Sequence, residues 1–193
     1  MLVGHSLGGV YVRRFASMYP NDVRGLVLVD RAHPDQLDRF PPQVVADVRQ
    51  FHRMIGWTPL LARLGVMGLT GMLSRAADGL PPDHLRESRR FGSSPTRLAT
   101  SHAELRLWDS TMSQVRASRA LGGIPLLVIS AGVWHGDGAA ALPVNHALHR
   151  ELAALSSRGR HIVLPRTDYM SLLMNRTGAV RTSALVMEFI ESR

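Results

Sequence analysis

The sequence predicts an α/β fold: a parallel sheet covered by helices, with a helical insertion between two of its strands. Three observations predict it. Two apolar runs, Gly25-Leu26-Val27-Leu28-Val29-Asp30 and Ile124-Pro125-Leu126-Leu127-Val128-Ile129-Ser130, are continuous rather than alternating, as in strands buried on both faces. Segments of helical length follow each run, which is the alternation of a parallel sheet. The stretch 38–119 has no comparable strand and instead carries helix-like starts at Pro41-Pro42, Thr58-Pro59, Pro81-Pro82 and Ser94-Pro95.

Residues 1–4 read as the end of a strand, followed by a sharp turn and a helix over 8–19. Pro20-Asn21-Asp22 breaks that helix before the strand at 25–30. About four helices are expected in 38–119. Alternation then resumes with a strand at 124–130, a helix at 143–157, a strand at 161–165 and an amphipathic helix at 178–191. The division is therefore 1–37 and 120–193 as two parts of one core, with 38–119 as a cap or lid.

At 193 residues and 45% apolar content, the chain is long enough for one sizeable core. No apolar run reaches the length of a membrane span and no secretory signal opens the sequence, so a cytoplasmic protein with no membrane partner is expected. The absence of cysteine excludes disulfides, a thiolate nucleophile and cysteine-bound metal. The net charge of +8 comes from 23 basic residues that are all arginine, scattered and without interleaved aromatics. A small-molecule substrate is expected, not a nucleic acid. The oligomeric state is left open.

The chemistry is concentrated in Gly4-His5-Ser6-Leu7-Gly8-Gly9. Gly-x-Ser-x-Gly after an apolar strand and before an apolar-periodic helix lets the chain turn so tightly that the serine stands alone above the sheet edge. Ser6 is the expected nucleophile, with the flanking glycines relieving the crowding. Leu7 N–H, at the positive start of the helix, is the expected half of an oxyanion hole.

On this elbow the chain resembles the α/β-hydrolase family, in particular the branch whose members read Gly-His-Ser-x-Gly-Gly. The stretch Val27-Leu28-Val29-Asp30-Arg31-Ala32-His33-Pro34-Asp35 and residues 156–168 look like that branch as well. The resemblance covers the C-terminal two-thirds of such a fold and implies an N-terminally incomplete example, without the strands and second oxyanion donor that precede the elbow. It implies a triad in the order serine, acid, histidine, and no cofactor. The acid then falls in the loop 131–138, where Asp137 is the sole carboxylate; Asp30 is the alternative, beside the simpler reading of a strand-end residue bonding local backbone.

The histidine is expected within Asp168-Tyr169-Met170-Ser171-Leu172-Leu173, and Tyr169 stands in its place. A phenol with a pKa near 10 is a poor substitute for imidazole as a base at neutral pH. His135, in the same loop as Asp137, is the alternative base; His5, next to the nucleophile, is expected to point away from it toward the oxyanion side, and His146, His149 and His161 are expected in packing or surface roles. A metal held by His135, Asp137, His146 and His149 lacks a closed ligand pattern. The apolar stretch 55–73 is expected to form the cap's own core rather than a lipid-facing surface. Two functions compete: hydrolysis of a small ester, amide or related acyl compound, and a non-catalytic pocket descended from such an enzyme.

Overall fold

The computed structural model describes residues 1–66, 80–118 and 120–192, apart from the side chain of Asp137. Strand β1 (Leu2–His5) passes through Ser6 into helix α1 (Leu7–Met18), and a 3-10 turn at Pro20–Asp22 returns the chain to β2 (Leu26–Val29). The described helices that follow are α2 (Gln36–Arg39), α3 (Pro42–Ile55), α4 (Thr58–Arg63), α5 (Pro82–Gly92), α6 (Pro95–Arg106) and α7 (Trp108–Arg116). Then come β3 (Leu126–Ala131), a 3-10 segment at Gly136–Ala141, α8 (Leu142–Ala153), β4 (Gly159–Leu164), α9 (Ser171–Met174) and α10 (Arg176–Glu191).

The described strands form one parallel sheet in the order β1-β2-β3-β4. Its register aligns Gly4 with Leu28, Leu28 with Val128 and Val128 with His161. Successive residues of a strand face opposite sides, and both sides are covered. Leu26, Leu28, Leu126 and Val128 pack on Ala16 of α1 and Leu152 and Ala153 of α8. Val27, Val29, Leu127 and Ile129 pack on Leu172 of α9 and Phe189 of α10. Every residue of β2 and β3 is consequently buried, which is why their sequences run apolar without alternation.

Proline opens α3, α5 and α6 in the first turn and stands at the second position of α4 and α8, where its missing N–H costs no hydrogen bond. Helix α8 stops at Ala153, short of the expected 157, because Ser156 turns the chain by bonding its hydroxyl to Ile124 O. Of the apolar stretch 55–73, Met67, Leu69, Met72 and Leu73 lie outside the described residues. Trp57, Leu60 and Leu64 are exposed instead of forming a cap core, since the short α4 turns Thr58 inward against α6. No helix among the described residues is long and apolar enough to cross a membrane.

Candidate active site

Ser6 and Asp30 end adjacent parallel strands at the same level. Ser6 N–H donates to Val29 O at 3.1 Å and Asp30 N–H donates to Ile129 O at 2.7 Å, each continuing the sheet by one bond. Both residues have left-handed backbones, φ 52° for Ser6 and 36° for Asp30, a conformation that costs a residue with a Cβ roughly 1–2 kcal/mol. Strain of this kind persists where surrounding structure enforces it.

At Ser6 the enforcement comes from glycines, though not the expected pair. A Cβ on Gly4 would lie 2.6 Å from Gly8 O and Val12 Cγ2, and one on Gly9 would lie 2.5 Å from Arg31 Cβ, whereas one on Gly8 meets nothing within 4 Å. Gly4 and Gly9, not Gly4 and Gly8, are therefore the positions that allow α1 to press against β1 and the segment after β2. Leu7, the first residue of α1, has an N–H with no acceptor inside the helix, beside the serine it follows.

Tyr169 is placed against Ser6. Asp168 accepts from Ser171 N at 2.9 Å and Ser171 Oγ at 2.8 Å, closing the turn that carries Tyr169 into α9. The preceding loop is tied to the end of β3, with Gly132 N donating to Thr167 O at 2.8 Å. The Tyr169 ring rests on His5, centroids 4.8 Å apart, and its hydroxyl lies beside Ser6. Burial pushes the phenol pKa up and the Asp30 charge adds to this, against the lowering from Ser6. At neutral pH this group is a hydroxyl.

Asp30 is buried, and desolvation raises its pKa to about 6 despite weak bonds to Oδ1 from Ala131 N and Asn145 Nδ2, both at 3.4 Å. Behind it lies a polar chain. His149 Nε2 meets Arg31 O at 2.9 Å; a carbonyl only accepts, so this nitrogen carries the proton and Nδ1 is the acceptor. Ser130 Oγ donates to that Nδ1 at 2.5 Å and accepts from His161 Nε2 at 2.7 Å. Burial pushes the pKa of both imidazoles down to about 4, so at neutral pH the chain is uncharged and each tautomer is fixed. His146 Nε2 donates to Ala131 O at 2.8 Å. These histidines brace the carboxyl ends of β2 and β3 from behind, and they take the packing roles expected of them.

Ser6, Leu7, Asp30, Asn145 and Tyr169 share a cavity of about 610 Å³ at the carboxyl edge of the sheet. Its other walls come from Phe40, from Val48, Phe51 and His52 of α3, from Leu105 of α6, from Trp108 of α7, and from Trp134 and His135 after β3. His135 borders the cavity but is largely exposed, its Nε2 3.7 Å from Asp168 Oδ2. Asp137 lies on the 3-10 segment after β3, and its side chain is outside the described residues. Among the described residues, no group of three or more potential ligands stands close enough to hold a metal ion. Sequence reasoning missed Asn145 and Trp134; neither belongs to a motif, and only the fold brings them to Ser6.

One further feature borders the cavity. Arg31 is buried, with Nε donating to Ala32 O at 2.7 Å and, among the described residues, no partner for either buried Nη atom. Arg13, its neighbour in charge, is also buried, its Nε without a partner among the described residues.

No protein-family model matches the sequence, and no curated protein does. Solved structures do match. The epoxide hydrolase CorEH superposes with a TM-score of 0.65 at 17% identity, over 99% of this chain and 68% of that one. A Pseudomonas aeruginosa protein assigned as an epoxide hydrolase gives 0.64 at 14%, over 98% and 65%. A thermophilic esterase from Thermogutta terrifontis gives 0.52 at 16%, over 99% and 64%. The chain has the α/β-hydrolase fold. It spans about two thirds of the length of these α/β-hydrolase-fold proteins, and its sheet, with surrounding helices, corresponds to part of that fold.

Proposed function

We propose that this chain is a serine-dependent hydrolase acting on a small ester or related acyl compound, slowed by tyrosine in place of its base. The observation that carries the reading is Ser6, held with φ 52° at the tip of a strand-to-helix turn on the floor of the cavity. In this reading Ser6 Oγ attacks the acyl carbon and Leu7 N–H meets the developing oxyanion. The serine proton ends on the departing oxygen, and water then displaces the acyl group from Ser6 to give the acid. Asp30, which shares the cavity, takes the role of the triad acid in preference to Asp137. The fold neighbours that hydrolyse esters or epoxides support the reaction class and leave the substrate open.

Tyr169 favours a second reading, a pocket that binds acyl compounds without turning them over, because a phenol pushed up in pKa does not collect the serine proton. Two measurements separate them. A fluorophosphonate should label wild type and not Ser6→Ala, and Tyr169→His should raise ester hydrolysis at pH 8 at least about 100-fold. No label at Ser6 together with no gain from histidine would establish the binding pocket instead. In the Tyr169→His background, Asp30→Asn should lower the rate at least about 10-fold, and Asp137→Asn should leave it unchanged. The reverse pattern would move the acid to Asp137.

A further inference from the structure

The cavity is polar where Ser6, Asp30, Asn145 and Tyr169 meet; elsewhere its walls are aliphatic (Val48, Leu105, Leu142) and aromatic, with the rings of Phe40, His52, Trp108 and Trp134 grouped in pairs. Phe40 and Trp134 pack edge to face, centroids 5.8 Å apart and planes at 81°. His52 and Trp108 form a second, tilted pair at 5.2 Å. Burial lowers the pKa of His52, so that ring is neutral at pH 7 and acts as an aromatic wall.

Trp134 is fixed from two directions. A Cβ on Gly138 would lie 2.4 Å from the indole Nε1, 2.7 Å from Cδ1 and 3.0 Å from Cε2, so the indole lies against bare backbone at 138. Phe40 meets the same indole edge to face. Trp134 is held on these two sides while about a third of it stays exposed (37%), so the indole is positioned and still open to a ligand, and less ordering is needed to bind one. Flat groups gain most from such walls, because offset and edge-to-face ring contacts add to the burial of apolar area that any acyl chain obtains. A flexible alkyl chain, in contrast, loses rotamer freedom in a cavity of fixed shape.

We propose that the substrate of this site is an ester bearing a single aromatic ring, seated against Trp134 and the His52–Trp108 pair with its carbonyl at Ser6. This rests on the hydrolase reading for the carbonyl's fate but not for ring binding. Trp134 is then the residue that sets specificity, and Gly138 is the position that seats it.

The test separates binding from turnover. Phenylacetamide and hexanamide are inert analogues of matched size, and their binding to the full chain is followed by ligand-observed NMR. Phenylacetamide should bind about 3- to 10-fold more tightly. Trp134→Ala should remove the difference, Trp134→Phe should keep most of it, and Gly138→Ala should weaken it by displacing the indole. Equal binding of the two amides, a preference for hexanamide, no detectable binding of either, or a preference unmoved by both Trp134→Ala and Gly138→Ala overturns the proposal. Phosphonate labelling of Ser6 is run on the same samples. Ring preference with neither labelling nor a gain from Tyr169→His leaves ring binding standing and removes the hydrolase reading; labelling without ring preference does the opposite.

Discussion

Asp30 holds its proton more tightly in the folded chain than out of it, because burial raises its pKa to about 6. Below about pH 4 the group is protonated in both states and contributes nothing. As pH rises toward 6 the unfolded chain ionises first, so folding stability falls, and the deficit persists above 6. Asp30→Asn should therefore raise the stability measured by urea denaturation at pH 7, by on the order of 3 kcal/mol, with little change at pH 4. An equal effect at both pH values would mean that Asp30 is ionised at no cost. Arg31 is a related case: burial and the neighbouring Arg13 charge lower its pKa, and among the described residues neither of its buried Nη atoms has a partner. Arg31→Met should stabilise the chain by at least about 1 kcal/mol in the same assay, and a loss would point to a partner for the guanidinium. Ser6 and Tyr169 were legible as residues because a motif flags each place. The standing of Asp30 was not, because spacing alone does not say which strand end lies level with Ser6; the register of β1, β2 and β3 does.

Helix α1 approaches its neighbours through two glycines of unequal kind. Gly9 abuts Arg31, while Gly8 has open space around it. Gly8→Ala should be neutral or stabilising by about 0.5–1 kcal/mol, as expected for alanine over glycine in a helix. Gly9→Ala should destabilise by at least about 1 kcal/mol, and thermal melts of the two variants should move in different directions. A pattern of the form Gly-x-Ser-x-Gly marks the turn without saying which glycine is needed, because the answer depends on what faces each hydrogen atom across the fold. Among the other elements, the proline-marked helices were legible, since proline in a first turn is a local signal. The break that separates α6 from α7 at Leu107 was not: it carries neither proline nor glycine, and Leu107 N–H simply divides between Ala103 O and Glu104 O.

Across the whole molecule, the sheet has β1 at one side, with Val3 half exposed and Tyr11, Phe15 and Met18 of α1 exposed as well. The parallel sheet was legible from the alternation of runs and helices; the cavity was not, because its walls come from segments as distant as Phe40 and Trp134. The opposite edge feature, where the strands finish, has a consequence for how this sequence can drift. Three non-glycine residues there have left-handed backbones: Ser6 after β1, Asp30 after β2 and Arg166 after β4. Glycine would be the least strained choice at all three. At Arg166, whose side chain is exposed, that exchange removes only strain, so it is open to chance. At Ser6 and Asp30 it would erase the side chains that face the cavity. In descendants of this chain, glycine at 166 would record idle variation, whereas glycine at 6 or 30 would mark the loss of the polar groups that these two strand ends present to the cavity.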